Sequence, residues 1–241
     1  MLLNRFVKAS GALAVLALFV AGVMLTSTRV ARAGDDDENG RDESRIRRGF
    51  EIAPVHLNLT GKNHALVGLG SYIVNALIPC NDCHSAGPPT QFAPNNNPYM
   101  GQTPIVNPNT YLGGGRDFGA YPPPNGPIHI VARNLTPDKT GLPEGGNTFS
   151  QFLTTMRTGA DLDHLHPTCS AIVTTNCVPP PFRGDLLQIM PWPEFQNMSE
   201  HDLRAIYEYL SAIPCIEGPA TPGDLLPAVQ YAFPALHNDC R

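Results

Sequence analysis

Residues 80–84 read Cys80-Asn81-Asp82-Cys83-His84: two thiols in C-x-x-C spacing, with an imidazole directly after the second. The chain has only 6 cysteines in 241 residues, so this clustering calls for a chemical reason. Upstream, NHALVGLGSYIVNALIP places Leu66, Leu69, Ile73 and Leu77 at helical spacing. Pro79 disfavours helical backbone in the residue before it. The spacing therefore predicts a helix that runs up to the motif and stops. Downstream, residues 85–132 hold ten prolines and show no sustained period. So long an irregular stretch within a compact domain makes sense only if it covers something large.

Regular structure is expected again near the C-terminal half. Asn147-Thr148 followed by FSQFLTTMRTG puts Phe149, Phe152, Leu153 and Met156 on one helical face, with Gly159 as the stop. A Cys- and Pro-rich loop leads to LLQIMPWPEFQNM. The last helix is SEHDLRAIYEYLSAIP, with Ser199 as N-cap, Asp202 in an imperfect capping box, and Leu203, Ile206, Tyr207 and Leu210 as its apolar stripe. No strand pattern or internal repeat competes, so the expected class is all-α with long irregular loops.

The N-terminus is of a different kind. Residues 1–33 combine basic Arg5 and Lys8, an apolar run over 9–25 and an Ala31-Arg32-Ala33 end. That is the layout of a secretory signal peptide cleaved before Gly34, the alternative being an uncleaved membrane anchor. Residues 34–54 are highly charged and read as a disordered leader. Removing Arg5, Lys8, Arg29 and Arg32 takes the basic residues from 16 to 12 against 21 acidic, a net charge near −9 with histidines neutral. A basic nucleic-acid footprint is absent. An acidic surface suits partners that present basic patches.

C-x-x-C-H in an exported chain is the attachment pattern of c-type haem. Two thiols add across two vinyl groups, and the next side chain supplies an imidazole to the iron. Cys80 and Cys83 are then the covalent anchors and His84 the proximal ligand. Zinc would ask for a second Cys/His pair of similar spacing, and the remaining cysteines, 169, 177, 215 and 240, do not form one. A thioredoxin-like dithiol expects a βαβ setting. A second axial ligand is required for an electron carrier, and methionine raises the potential relative to histidine. Met156 and Met198 read as packing residues, Met100 stands in the irregular loop, and Met190 stands in IMPWPEF between prolines that stiffen the backbone. Met190 is the favoured ligand.

Taken together, CNDCH, NLTPDKTG, FSQFLTTMRTG, MPWPEF and LRAIYEYLSAIP resemble the class I cytochrome c family over roughly residues 59–214. The resemblance is to the single-haem bacterial branch similar to the cytochrome domains that accompany alcohol dehydrogenases. It implies an all-α class I cytochrome c-like domain around one covalently attached haem c, with iron held by His84 and Met190. It implies contact of Gly70 and Tyr72 on the first helix with Tyr207 and Leu210 on the last. It also sets Asn134–Asp138 near the haem edge, with Arg133 beside a propionate or at the surface. The haem-to-methionine interval of 106 residues exceeds what a minimal domain needs, and only one C-x-x-C-H is present.

The expected organisation is a signal peptide over 1–33, a leader over 34–54, a cytochrome domain over 55–216 and a tail over 217–241. In an oxidising compartment the other four cysteines are expected to pair locally, Cys169 with Cys177 and Cys215 with Cys240, the latter tying the tail. Asp161, Asp163, His164 and His166 in ADLDHLHP read as a polar loop in preference to a metal site. The function expected is periplasmic electron transfer by Fe(II)/Fe(III) cycling, as a carrier or as the electron-transfer subunit of an oxidoreductase, without catalysis of its own. The partners implied are periplasmic redox proteins, such as a dehydrogenase and a terminal oxidase or another cytochrome. Nucleic acid is not among them, and a membrane is involved only if the N-terminal segment is retained. The competing functions are a haem enzyme or ligand sensor whose axial methionine is displaceable, and a module docked permanently on a dehydrogenase.

Overall fold

The computed structural model describes residues 42–85, 88–121, 128–162, 183, 185–218 and 238–241. Residues 1–33, the Cys169–Cys177 pair, and Asp163, His164 and His166 lie outside them. The chain divides into Met1–Ser44 and Arg45–Arg241, and the packing below is that of the second unit. In chain order the elements are α1 (42–52), α2 (His64–Tyr72) continuing into a π-turn (Ile73–Leu77), α3 (Cys80–Cys83) and α4 (Pro88–Gln91). Strands β1 (Asp117–Tyr121) and β2 (Ile128–Val131) follow, then the single turn α5 (Pro143–Gly146), α6 (Phe149–Thr158), α7 (Trp192–Phe195) and α8 (Glu200–Leu210). The fold is helix-rich.

The caps follow from the sequence. Asn63 Oδ1 accepts the Leu66 amide at the start of α2, at 3.2 Å. Thr148 and Gln151 form a reciprocal capping box on α6, and Gly159 closes that helix in the left-handed region at φ 71°. Ser199 Oγ accepts the Asp202 amide at 3.0 Å and donates to the Asp202 carboxylate at 2.8 Å.

The core is built on α2, because α2 is enclosed on two sides. Gly68 faces α1: a Cβ there would stand 2.6 Å from the Phe50 ring and 2.7 Å from Ile46. Gly70 faces α8, where a Cβ would stand 1.9 Å from the Ala205 carbonyl oxygen and 2.8 Å from Tyr209 Cβ. Two glycines two positions apart on a helix point to nearly opposite sides, so each lets a different neighbour approach to backbone contact. α2 and α8 pack extensively on each other. Val67, Leu69, Ile73, Val74, Leu203, Ile206 and Leu210 are all buried around this contact.

Four sequence expectations need correction. The leader read as disordered is helical over 42–52. Its apolar residues Ile46 and Phe50 seat on Gly68, a stripe too sparse to stand out in a charged run. The stretch read as free of strands contains the antiparallel pair β1–β2, in register Asp117↔Val131 and Tyr121↔Ile128. Strands of five and four residues are too short to display alternation. Leu77, expected on the buried stripe, is 59% exposed. The switch from α to π winding adds a residue to the turn and rotates it off the helix face. Finally, α8 meets Gly70 through Ala205 and Tyr209, while Tyr207 turns to Phe149 and Phe152 of α6, with ring centroids 5.4 and 5.6 Å away.

The tail is tied down where the sequence suggested, by a disulfide between Cys215 and Cys240. The NLTPD block supports it. Asn134 Nδ2 donates to the Ile216 carbonyl at 2.7 Å, and Asn238 Nδ2 donates to the Thr136 carbonyl at 2.7 Å. Most of this block thus braces the tail, and Leu135 is its member that lines the cavity described next.

The helix crossing provides a direct test. Gly70→Ala forces a Cβ into the α8 backbone, which has no side-chain freedom with which to yield. Urea denaturation is expected to show a loss of at least about 1–3 kcal/mol, whereas Gly61→Ala, where a Cβ meets nothing within 4 Å, is expected to show only the smaller cost of its positive φ.

Candidate functional site: a cavity lined by Cys80, Cys83, His84 and Met190

The C-terminal end of α2 delivers the motif. Ile78 N–H closes the π-turn on the Ile73 carbonyl at 2.9 Å. Pro79, at φ −78° and ψ 56°, then makes an inverse γ-turn, with Cys80 N–H on the Ile78 carbonyl at 2.8 Å. The chain re-enters helix for one turn, and His84 N–H reaches the Cys80 carbonyl at 2.8 Å. Positions i, i+3 and i+4 of a helical turn share a face. Cys80, Cys83 and His84 accordingly line one cavity of about 370 Å³, within the range of small-molecule and cofactor sites.

The irregular region after the motif holds it in place. Leu112 N–H donates to Asn81 Oδ1 at 2.9 Å, and Gly114 N–H donates to the His84 carbonyl at 2.7 Å. Gly114 lies at φ 71°, and a Cβ on it would stand 2.5 Å from the Asn134 amide and 2.6 Å from the Arg133 carbonyl carbon. Only glycine lets these two backbones run side by side. That approach brings the Arg133 carbonyl to 2.8 Å from His84 Nδ1. His84 Nδ1 therefore carries the proton and donates it, which leaves Nε2 as the lone-pair nitrogen, the arrangement of a metal-ligating imidazole. Burial, more than any other influence, holds the His84 pKa below its ordinary value, so the ring is neutral.

Behind Cys80 lies a buried ring of hydrogen bonds. Tyr111 O–H donates to Asn75 Oδ1 at 2.6 Å, and Asn75 Nδ2 donates to the Tyr209 oxygen at 3.1 Å. The Tyr209 proton is left to complete the ring on the Tyr111 oxygen at 2.9 Å. Asn75 Nδ2 also reaches the Ser71 carbonyl at 2.9 Å. Burial raises both phenol pKa values, so the ring stays protonated and intact. It ties the π-turn, residue 111 and α8 together at the back of the motif.

Cys80 and Cys83 are both free thiols and half-buried. Burial, followed by the neighbouring Cys83, pushes the Cys80 pKa up to about 12. Cys80 is thus a neutral thiol. Among the described residues, no group of three or more His, Cys, Asp or Glu side chains gathers as a metal site.

Further walls come from α6, α8 and residues 186–191. Phe152 and Met156 of α6 and Ile206 and Leu210 of α8 line the cavity. Arg133 and Asp161 also line it, as an ion pair in which Asp161 is 3% exposed. The sequence did not single out Arg133's backbone carbonyl, and it read Asp161 as part of a polar loop. The side chain that orders Asp161 is 28 positions away.

The structure separates the four candidate methionines. Met100 ends a short 3-10 turn, is 72% exposed and is not among the cavity-lining residues. Met198 packs against the core from outside the cavity. Met156 is buried within α6 and touches the cavity. Met190 lines it from an extended segment whose geometry is unusual. Met190 N–H bonds to the Gln188 carbonyl at 2.7 Å, around Ile189 at φ 67°. Trp192 N–H bonds to the Met190 carbonyl at 2.8 Å, around Pro191 at φ −80° and ψ 51°. Met190 thus stands between two consecutive γ-turns, one of each hand. Positive φ in a β-branched residue is a true outlier and costs on the order of 1–3 kcal/mol.

The chain matches no protein-family model, no curated protein and no solved structure.

The buried ring yields an asymmetric prediction. Tyr111→Phe strands both Asn75 Oδ1 and the Tyr209 proton, for an expected loss of roughly 1–3 kcal/mol. Tyr209→Phe leaves Asn75 Nδ2 still bonded to Ser71 and is expected to cost less. Chemical denaturation of the two variants side by side measures the difference.

Proposed function

We propose that the protein is a single-haem c-type cytochrome that carries electrons between redox partner proteins in an exported, periplasmic setting. One observation carries this function. A single apolar cavity is lined by two free thiols in C-x-x-C spacing, by an imidazole whose Nδ1 is engaged by a backbone carbonyl, and by a methionine 106 residues further on. The donor set fits haem c. Cys80 and Cys83 would hold it through thioether bonds, and His84 and Met190 would be its axial ligands. When bound, haem c supplies one reversibly exchanged electron, shuttled between ferrous and ferric iron.

The chain's own residues account for the rest. The Arg133 carbonyl fixes the His84 tautomer and ring orientation. Val74, Ile130, Val131, Leu135, Phe152 and Leu210 give the cavity an apolar wall, and a low-dielectric wall strengthens electrostatic influences on a bound group. Arg133, paired with Asp161 in the wall, offers a guanidinium to an acidic group of the cofactor. The acidic balance of the chain favours partners with basic docking patches.

The absorption spectrum of the exported protein tests this directly. The pyridine haemochrome is expected to report one c-type haem per chain, and the oxidised form is expected to show the weak far-red band of sulfur-to-iron ligation. Cys80→Ala combined with Cys83→Ala is expected to abolish covalent attachment. Met190→Ala is expected to remove the far-red band while Met100→Ala keeps it. Rapid, complete carbon monoxide binding by the reduced wild-type protein would instead establish an open site and a ligand-binding function.

A further inference from the structure

We propose that Ile189, Trp192 and Gly159 are positioning residues for Met190, acting together as a clamped double γ-turn that holds the thioether in the cavity. The proposal rests on the haem function above and adds to it what keeps the second axial ligand in place.

The clamp begins where α6 ends. Gly159 turns the chain out of the helix at φ 71°, and two hydrogen bonds then bind residues 159–161 to residues 185–187. Leu187 N–H donates to the Gly159 carbonyl at 2.7 Å and Asp161 N–H donates to the Asp185 carbonyl at 3.0 Å, and together they pair Ala160 with Leu186 as an antiparallel bridge. Gln188 Nε2 closes this segment on itself through the Arg183 and Leu186 carbonyls, at 2.9 and 2.8 Å. The strand leading to Met190 is therefore fixed on its N-terminal side.

The C-terminal side is fixed by packing. The indole of Trp192 lies directly on the bare Cα of Gly159: a Cβ there would stand 2.3–2.5 Å from Cε2, Cδ2 and Nε1 of the ring. Residues 187 and 192 are thus both held on Gly159, with only four residues between them. Between these two attachments the chain makes the two γ-turns, with Ile189 in the left-handed region at φ 67°.

Ile189 shows that the clamp, not local preference, decides this geometry. Its side chain is 45% exposed and lines the cavity beside Met190. A β-branched residue persists at positive φ only where its surroundings over-determine it. The strain is borne directly beside Met190, and it is relieved if the segment lets go and the thioether leaves the cavity. The clamp and the strain therefore oppose each other at one residue, which makes the two kinds of variant act in opposite directions.

Cyanide titration of the oxidised holoprotein, read together with the far-red band, tests this. Cyanide competes with Met190, so its affinity reports how firmly the thioether is held. Trp192→Ala is expected to weaken or remove the band and raise cyanide affinity by about ten-fold or more. Gly159→Ala is expected to do the same, and Trp192→Ala serves alone if Gly159→Ala does not mature. Ile189→Gly is expected to keep the band and lower cyanide affinity by roughly five-fold. Shifts in melting temperature with unchanged band and unchanged cyanide affinity in both Trp192→Ala and Ile189→Gly would overturn the proposal while leaving the axial role of Met190 standing. If Met190→Ala itself retains the band, the axial assignment falls, and this clamp falls with it.

Discussion

Backbone contact between α2 and α8 at Gly70 governs the molecule, because each of the two helices does something else at its far end. α2 runs on through its π-turn into Cys80, Cys83 and His84, and α8 contributes Ile206 and Leu210 to the cavity wall. With 1.9 Å between a notional Gly70 Cβ and the Ala205 oxygen, any larger residue would part the helices. The thiol pair would then move relative to the floor of its own cavity. The same crossing positions Tyr209 for the ring with Asn75 and Tyr111, so helix packing and the polar bracing behind Cys80 are one structure.

Around that crossing the irregular half of the chain does work that a larger hydrophobic core would do elsewhere. Residues 111–116 clamp the motif from one side through Asn81 and the His84 carbonyl, and they align Arg133 with His84 Nδ1. Residues 159–161 clamp the Met190 segment in a similar way. In both places a glycine permits contact of chain with chain or of chain with indole, and hydrogen bonds to backbone carbonyls fix the register. Such clamps use few apolar residues, which suits a chain with 47 prolines and glycines among 241 residues.

The cavity combines two kinds of electrostatic environment. Around Cys80 and His84 burial dominates, and it keeps both groups neutral. At Arg133 and Asp161 charge is present but paired, which limits its desolvation cost. The cavity wall is thus mostly apolar, with its paired charges gathered at Arg133 and Asp161.

Local chemistry was legible in the residues themselves. The C-x-x-C-H spacing, the helical stripes of α6 and α8, the Ser199 cap and the Gly159 stop depend on neighbours within a turn or two, and the pairing of Cys215 with Cys240, 25 positions apart, was legible from the small number of cysteines left to pair. Met190 was favoured from its proline-flanked segment, while the exposure of Met100 was not legible, because it depends on which distant segment comes to lie alongside. Nor were the helix at 42–52, the short β1–β2 ribbon, the exposed Leu77, the Arg133–His84 bond or the left-handed Ile189. The helix at 42–52, the Arg133–His84 bond and the Ile189 segment are set by partners about 20 to 50 positions away, the ribbon by pairing such as Asp117 with Val131, and Leu77 by the π-turn that precedes the motif. Short-range periodicity carries no signal for such contacts. The sequence by itself therefore determined which side chains are the candidates for the chemistry, and only the tertiary structure decided which backbone groups hold them in register, since those groups are the same in every residue.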